Sequence, residues 1–203
     1  YNKMREIFPG ANSGMPSEKP AYYQVYKYVS AALNSCCASS AAAGAEARII
    51  LASAAGVDFS KIMATMWRDP VEADAWLRIN DILRLRKAGK PIQYILGEAE
   101  FFGLDFKVCE AVLIPRHDTE CVVEAVINHA AGVLSGPGAP CGLRVLDIGT
   151  GSGVIAVCVA LAFKGKVKVT AVDLSHSALE CAAANAGALG AADYIDFIES
   201  DIY

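Results

Sequence analysis

The sequence has no apolar run of about 18 residues, the length a membrane-crossing helix needs, so no spanning helix is expected. Asn2, Lys3 and Arg5 are followed by Pro9, Gly10, Gly14 and Pro16, where a secretory signal would carry an apolar stretch. Charge is scarce, at 20% of residues, and sums to −4. A broad nucleic-acid face needs clustered Lys and Arg, so direct nucleic-acid binding is not expected. The seven cysteines, Cys36, Cys37, Cys109, Cys121, Cys141, Cys158 and Cys181, show no CxxC or Cys/His spacing that suits zinc, and no metal site is expected. They read as small buried hydrophobes in a reducing compartment, which makes the expected location cytoplasmic. No initiator Met opens the chain, no Pro-Pro pair occurs in it, and Tyr203 follows directly on an apparent strand. The sequence is read as a fragment.

What is present suffices for one large or two small domains: 203 residues, 54% of them hydrophobic. Residues 1–19 form a Pro/Gly-rich lead-in. Residues 20–90 show helical periodicity and no strand signal. Tyr22, Val25, Tyr26, Val29 and Leu33 recur at three- and four-residue steps. A second helix is expected over Ala45–Ala55, stopped by Gly56, and a short third over Asp58–Trp67. Asp69 and Pro70 are expected to cap and open a long fourth helix through Leu85. Residues 91–116 hold short β-like runs, Gln93–Leu96, Glu100–Phe102 and Asp105–Val108, punctuated by Gly97 and Gly103, and suggest a hairpin linker.

Residues 117–203 begin with a helix from about Asp118 to Leu134. Strands then alternate with helices: Arg144–Asp147, helix Val154–Phe163, Val167–Asp173, helix Ser175–Leu189, Tyr194–Ser200. Apolar strands in this order predict a parallel sheet covered on both faces, the first half of a doubly wound, Rossmann-like α/β fold.

The chemistry concentrates at the carboxyl ends of these strands. Asp147-Ile148-Gly149-Thr150-Gly151-Ser152-Gly153 joins the first strand to a helix. Glycines there permit unusual backbone angles and close approach of a ligand, and the free N–H groups of the helix suit an anionic group. The spacing is GxGxG with an acid two residues before it, not the GxGxxG of nicotinamide-binding folds. Asp173 ends the second strand, where a carboxylate can accept both ribose hydroxyls. Asp201, followed by Ile202, ends the third.

The [D/E]xGxGxG form resembles the first motif of class I methyltransferases. That resemblance implies S-adenosylmethionine as cofactor. The loop Gly149–Gly153, with Thr150 and Ser152, would hold its methionine part, and Asp147 would orient its amino group. Asp173 would take the ribose, with Asp201 and Ile202 flanking the adenine. Three further segments, PIQYILG over residues 91–97, EFFGL over 100–104 and LIPRHDTE over 113–120, closely resemble the PrmC (HemK) family. The resemblance covers roughly residues 43–203. It implies a class I methyltransferase domain preceded by a small all-α domain, and methylation of the side-chain amide nitrogen of the glutamine in the Gly-Gly-Gln loop of class I peptide chain release factors. It also implies an aromatic lining the site beside the transferred methyl, here assigned to Phe101 as a substrate-binding residue. The family form PRPxTE departs at His117. The family's catalytic Asn-Pro-Pro-Tyr has no counterpart here, so no catalytic residue is assigned. Other readings are a glutamine methyltransferase of ribosomal protein L3, an amino-group DNA methyltransferase, and a non-catalytic cofactor-binding fragment.

Overall fold

The computed structural model describes residues 19–201, which divide after Leu96 into two compact units. The lead-in, except Lys19, and Ile202 lie outside the described residues.

The first unit is helical: α1 (Tyr22–Leu33), α2 (Ser40–Ala55), α3 (Phe59–Lys61) running into a π-helical turn (Ile62–Met66), α4 (Ala73–Lys87) and α5 (Ile92–Leu96). The α1 stripe Tyr22, Val25, Val29, Leu33 packs on Ala43, Ala47, Ile50 and Leu51 of α2 and Trp76, Ile79 and Leu83 of α4. Helix α2 starts at Ser40, five positions earlier than expected, because the Ser39 hydroxyl accepts the Ala42 N–H and caps it. The Ala/Ser run there carries no apolar period to signal this. Gly56, at φ +67°, closes α2 through its N–H to Ala52.

Two expectations fail in this unit. Asp69 and Pro70 do not open α4, which begins at Ala73. Their backbone instead pairs with the start of α1: Tyr22 N–H donates to Asp69, Val71 N–H donates to Pro20, and Ala21 bridges Pro70. This seats Val71 in the core. Gln93–Leu96 is helix, not strand. Ile92, Ile95 and Leu96 lie on one helical face against the core, and five apolar-rich residues satisfy either period.

The second unit opens with the hairpin β1 (Glu98–Phe101) and β2 (Leu104–Lys107), then α6 (Asp118–Ser135), β3 (Leu143–Ile148), α7 (Val154–Phe163), β4 (Val167–Asp173), α8 (His176–Leu189) and β5 (Ile195–Glu199). The three later strands form a parallel sheet in the order β3-β4-β5, the topology of the first half of a Rossmann-like fold.

The expectation of cover on both faces is not met. Leu143, Val145, Val167, Val169, Ala171 and Ile195 share one face with α7 and α8. On the other, Leu146 and Ile148 are 58% and 53% exposed and Ile198 is exposed as well. The strand order explains this. Crossovers of one hand that step in one direction drop every helix on the same side, and only a reversal of direction fills the other. Among the described residues β3 pairs only with β4.

All seven cysteines are free. Burial pushes the Cys158 thiol up to about 12 and the Cys181 thiol to about 11. No single described helix is long and apolar enough to cross a membrane.

Candidate functional site

Strand β3 delivers Asp147 to the start of the glycine loop, where the side chain turns inward and is only 7% exposed. Its Oδ2 accepts the Thr150 hydroxyl at 2.7 Å, and the Ala156 N–H at the start of α7 also donates to it. Burial pushes this carboxyl above the ordinary carboxylate value, and the charge of Asp173 adds to the rise, while its two donors oppose it. A carboxyl raised in the folded state weakens folding progressively as pH climbs from the unfolded-state value through the folded one. Asp147→Asn should remove that slope: relative to the parent, the variant gains thermal stability as pH rises from 4 to 7. Paired melting curves across this range check it, and parallel curves for the two proteins would contradict it.

Gly149, Gly151 and Gly153 all have positive φ, at +73°, +56° and +81°. Their surroundings differ. A Cβ at Gly149 would meet nothing within 4 Å, and at Gly151 only the Gly149 carbonyl at 4.0 Å, whereas one at Gly153 would lie 2.9 Å from the Ala182 Cβ. The first two glycines border open space, and the third lets α8 close on the loop.

The loop amides are mostly used internally. Gly149 and Thr150 N–H donate to Val172, Gly153 N–H to Thr150, and Gly151 N–H to Asp173 Oδ2 at 2.9 Å. With Ala156 N–H held by Asp147, the expected set of free amides for an anion is reduced. The reason is that the loop must be lashed to the end of β4. Asp173, partly exposed at that end, also accepts Ser175 N–H through Oδ1 at 3.0 Å. A carboxylate offers about four acceptor positions, so roughly half of its capacity remains. An acidic pair over open glycines fits the amine and hydroxyls of an aminoacyl-nucleoside, and it is here that S-adenosylmethionine would sit.

Strand β5 stops at Glu199, short of the expected Ser200, so Asp201 lies exposed beyond the strand. The position in register with Asp173 is Glu199, whose carboxylate meets His176 at 2.9 Å. Phe101 is 1% exposed and packs edge-on against Phe106 in the core, so it has no surface to give a substrate. This corrects its assignment. The partly exposed ring is Phe102, held with φ +53° beside Gly103 at +72° in a two-residue turn. Positive φ is costly for a bulky residue. The Glu120 carboxylate, from the LIPRHDTE segment, accepts the Phe102 N–H at 3.0 Å and helps hold the turn.

Asn185 was missed. It is 1% exposed on α8, accepts Lys107 N–H at 2.7 Å, and donates to the carbonyls of Lys107 and Ser152, each at 2.9 Å. One side chain thus ties the hairpin to the glycine loop. The available signal was an Asn inside an alanine-rich helix, where its propensity is poor.

Comparison with known proteins agrees with these features. Residues 24–97 match the family model described as PrmC N-terminal domain, and residues 145–203 match one described as methyltransferase domain. The chain is 39% identical to a release factor glutamine methyltransferase of Bacillus subtilis over 77% of its own length and 52% of the relative's. It is 47% identical to one of Chlorobaculum tepidum over 58% of its length and 39% of the relative's. The chain therefore spans about half the length of the curated relatives it matches. A crystal structure of a SAM-dependent methyltransferase from Agrobacterium tumefaciens matches 51% of this chain and 32% of its own, at 22% identity and a TM-score of 0.40. With a PrmC N-terminal domain ahead of a methyltransferase domain, the chain belongs to the PrmC family.

Proposed function

We propose that this chain binds S-adenosylmethionine and serves methylation of the side-chain amide nitrogen of a glutamine, that of the Gly-Gly-Gln loop in class I peptide chain release factors. The observation that carries the reading is the pair Asp147 and Asp173 on either side of open glycines, in a chain whose relatives are named for release factor glutamine methylation.

When bound, the cofactor supplies an electrophilic sulfonium methyl. The protein's part is orientation. Asp147, already fixed by Thr150 and Ala156, is placed to receive an amino group. Asp173 has acceptor capacity for ribose hydroxyls. Gly149 and Gly151 leave space over the main chain, and Thr150 and Ser152 complete the loop. Asp201 and Ile202 are the residues proposed to flank the adenine. An amide nitrogen is a weak nucleophile because its lone pair is delocalised, so the reaction depends on holding it in line at near-attack distance. Phe102, rather than Phe101, is the ring proposed to border that position.

The partner is a protein, and nothing in the reading requires nucleic acid. Residues 97–203 carry six Lys and Arg against fourteen Asp and Glu.

Calorimetry with S-adenosylmethionine tests the site. Asp173→Ala should lower affinity by roughly 1.5–3 kcal/mol, because it removes charge-accepted hydrogen bonds and also frees the Gly151 and Ser175 amides. Unchanged affinity in a folded variant would remove Asp173 from the site.

A further inference from the structure

In the helical unit, Tyr26 of α1, Phe59 of α3 and Trp67 just after the π-helical turn form a cluster of rings. Their centroids are 5.8 Å (Tyr26–Phe59), 5.7 Å (Tyr26–Trp67) and 6.1 Å (Phe59–Trp67) apart, the last pair edge-on. The Arg48 guanidinium lies over Phe59, 6.0 Å from the ring centroid. With Met63 these residues line a cavity of about 420 Å³, a size typical of binding clefts. The three rings are only partly buried and Met63 is exposed, so this cluster is not core.

Two local irregularities build the cavity. A π-helical turn, a form concentrated at functional sites, carries Met63. Gly44 sits inside α2, where glycine is a poor helix former, and a Cβ there would come within 3.1 Å of the Tyr26 hydroxyl. The glycine makes room for the tyrosine that walls the cavity.

Charge selects the occupant. Residues 19–96 hold ten Lys and Arg against six Asp and Glu. Arg86 is paired with Glu46, Arg84 with Asp81 and Lys19 with Glu72. Arg48 has no carboxylate partner among the described residues. A guanidinium on the ring face repels a second cation, which disfavours a methylammonium guest, and its planar fork matches a carboxylate. The tilted and edge-on rings offer no parallel slot for a nucleobase, but they suit a large apolar side chain.

We infer that this cavity is a docking site for a protein partner, taking one large apolar side chain among the rings with an Asp or Glu beside it on Arg48. The identification of that partner as the release factor rests on the reading above.

The test titrates a purified class I release factor into the full chain and follows tryptophan fluorescence. Of the two tryptophans, Trp67 lines the cavity and Trp76 is buried in the core, so docking registers through Trp67. Arg48→Glu should weaken binding by about tenfold or more, the loss expected of a central anchor. Gly44→Ala, which favours the helix and disturbs only Tyr26, should weaken it by roughly threefold. Lys87→Glu makes the same charge change at a residue that does not line the cavity and should cost less than about threefold. Circular dichroism melts confirm that each variant is folded. Equal losses in Arg48→Glu and Lys87→Glu would overturn the docking site in favour of diffuse charge. Binding unaffected by any variant would overturn it too, and leave the release-factor reading standing. If the parent chain binds S-adenosylmethionine but no release factor, that reading and this inference fall together. If Arg48→Glu abolishes binding of a short uridine oligonucleotide and spares the release factor, the cavity belongs to RNA and the inference is overturned.

Discussion

Gly153→Val is expected to destabilise the sheet unit by about 3–5 kcal/mol, a large share of the roughly 5–15 kcal/mol that holds a domain together. Two costs add. A branched side chain at φ +81° is strained by about 1–3 kcal/mol. Its Cβ would also stand 2.9 Å from the Ala182 Cβ and 3.2 Å from the Ala182 Cα, and overpacking of this kind costs about 1–3 kcal/mol. The Cα is backbone of α8, so it cannot swing away. Gly151→Ala provides the contrast: its φ is +56° and its nearest neighbour is 4.0 Å away, leaving mainly the strain. Denaturant unfolding of Gly153→Ala, Gly151→Ala and the double variant Gly153→Ala/Ala182→Gly separates the parts. The double variant should recover the clash and retain the strain. Equal destabilisation by Gly153→Ala and Gly151→Ala would show that α8 does not press on the loop.

Asn185→Leu is expected to cost about 2–4 kcal/mol. It leaves the Lys107 N–H and the Lys107 and Ser152 carbonyls without their side-chain partner, and an abandoned buried polar group costs about 1–3 kcal/mol. The hydroxyl-poor surroundings supply little replacement, although the Cys181 thiol also reaches the Lys107 carbonyl at 3.3 Å. Because the same side chain holds the hairpin and the glycine loop, the loss should be seen in both. Hydrogen exchange should accelerate at the Lys107 amide, and S-adenosylmethionine affinity should fall although Asn185 is not a proposed ligand residue. A variant that loses stability with normal exchange at Lys107 would rule out this tie.

The sequence made the elements of the sheet unit legible because their signals are strong. Val154–Phe163 and Val167–Asp173 fall where periodicity placed them, since each is apolar and bounded by Gly or a charged turn. Asp147 and the three glycines were legible as a spacing. What spacing could not carry was their surroundings: which glycine faces a helix, and which amide is already taken. The helical unit was less legible at its seams. Pro70 looks like a helix start until Pro20 and Ala21 arrive from fifty residues away to pair with that segment. Phe101 and Phe102 are neighbours of one type. Only the turn at Gly103 decides that the first is buried and the second presented. Asn185 was invisible because its partners, Lys107 and Ser152, are remote in the chain.

The separation of the two cores has a consequence in time. The helical core draws on residues between Tyr22 and Ile92, the sheet core on residues between Phe101 and Ile195. Helix-rich units with local contacts fold in microseconds to milliseconds, whereas parallel pairings such as Leu143 on Val167 must first close a loop through a helix. Ribosomes add about 5–20 residues per second, so the sixty or so residues from Ile92 to the glycine loop take on the order of 3–12 s to appear. The nascent chain can therefore close the unit bearing the ring-lined cavity seconds before any of the cofactor loop has been synthesised.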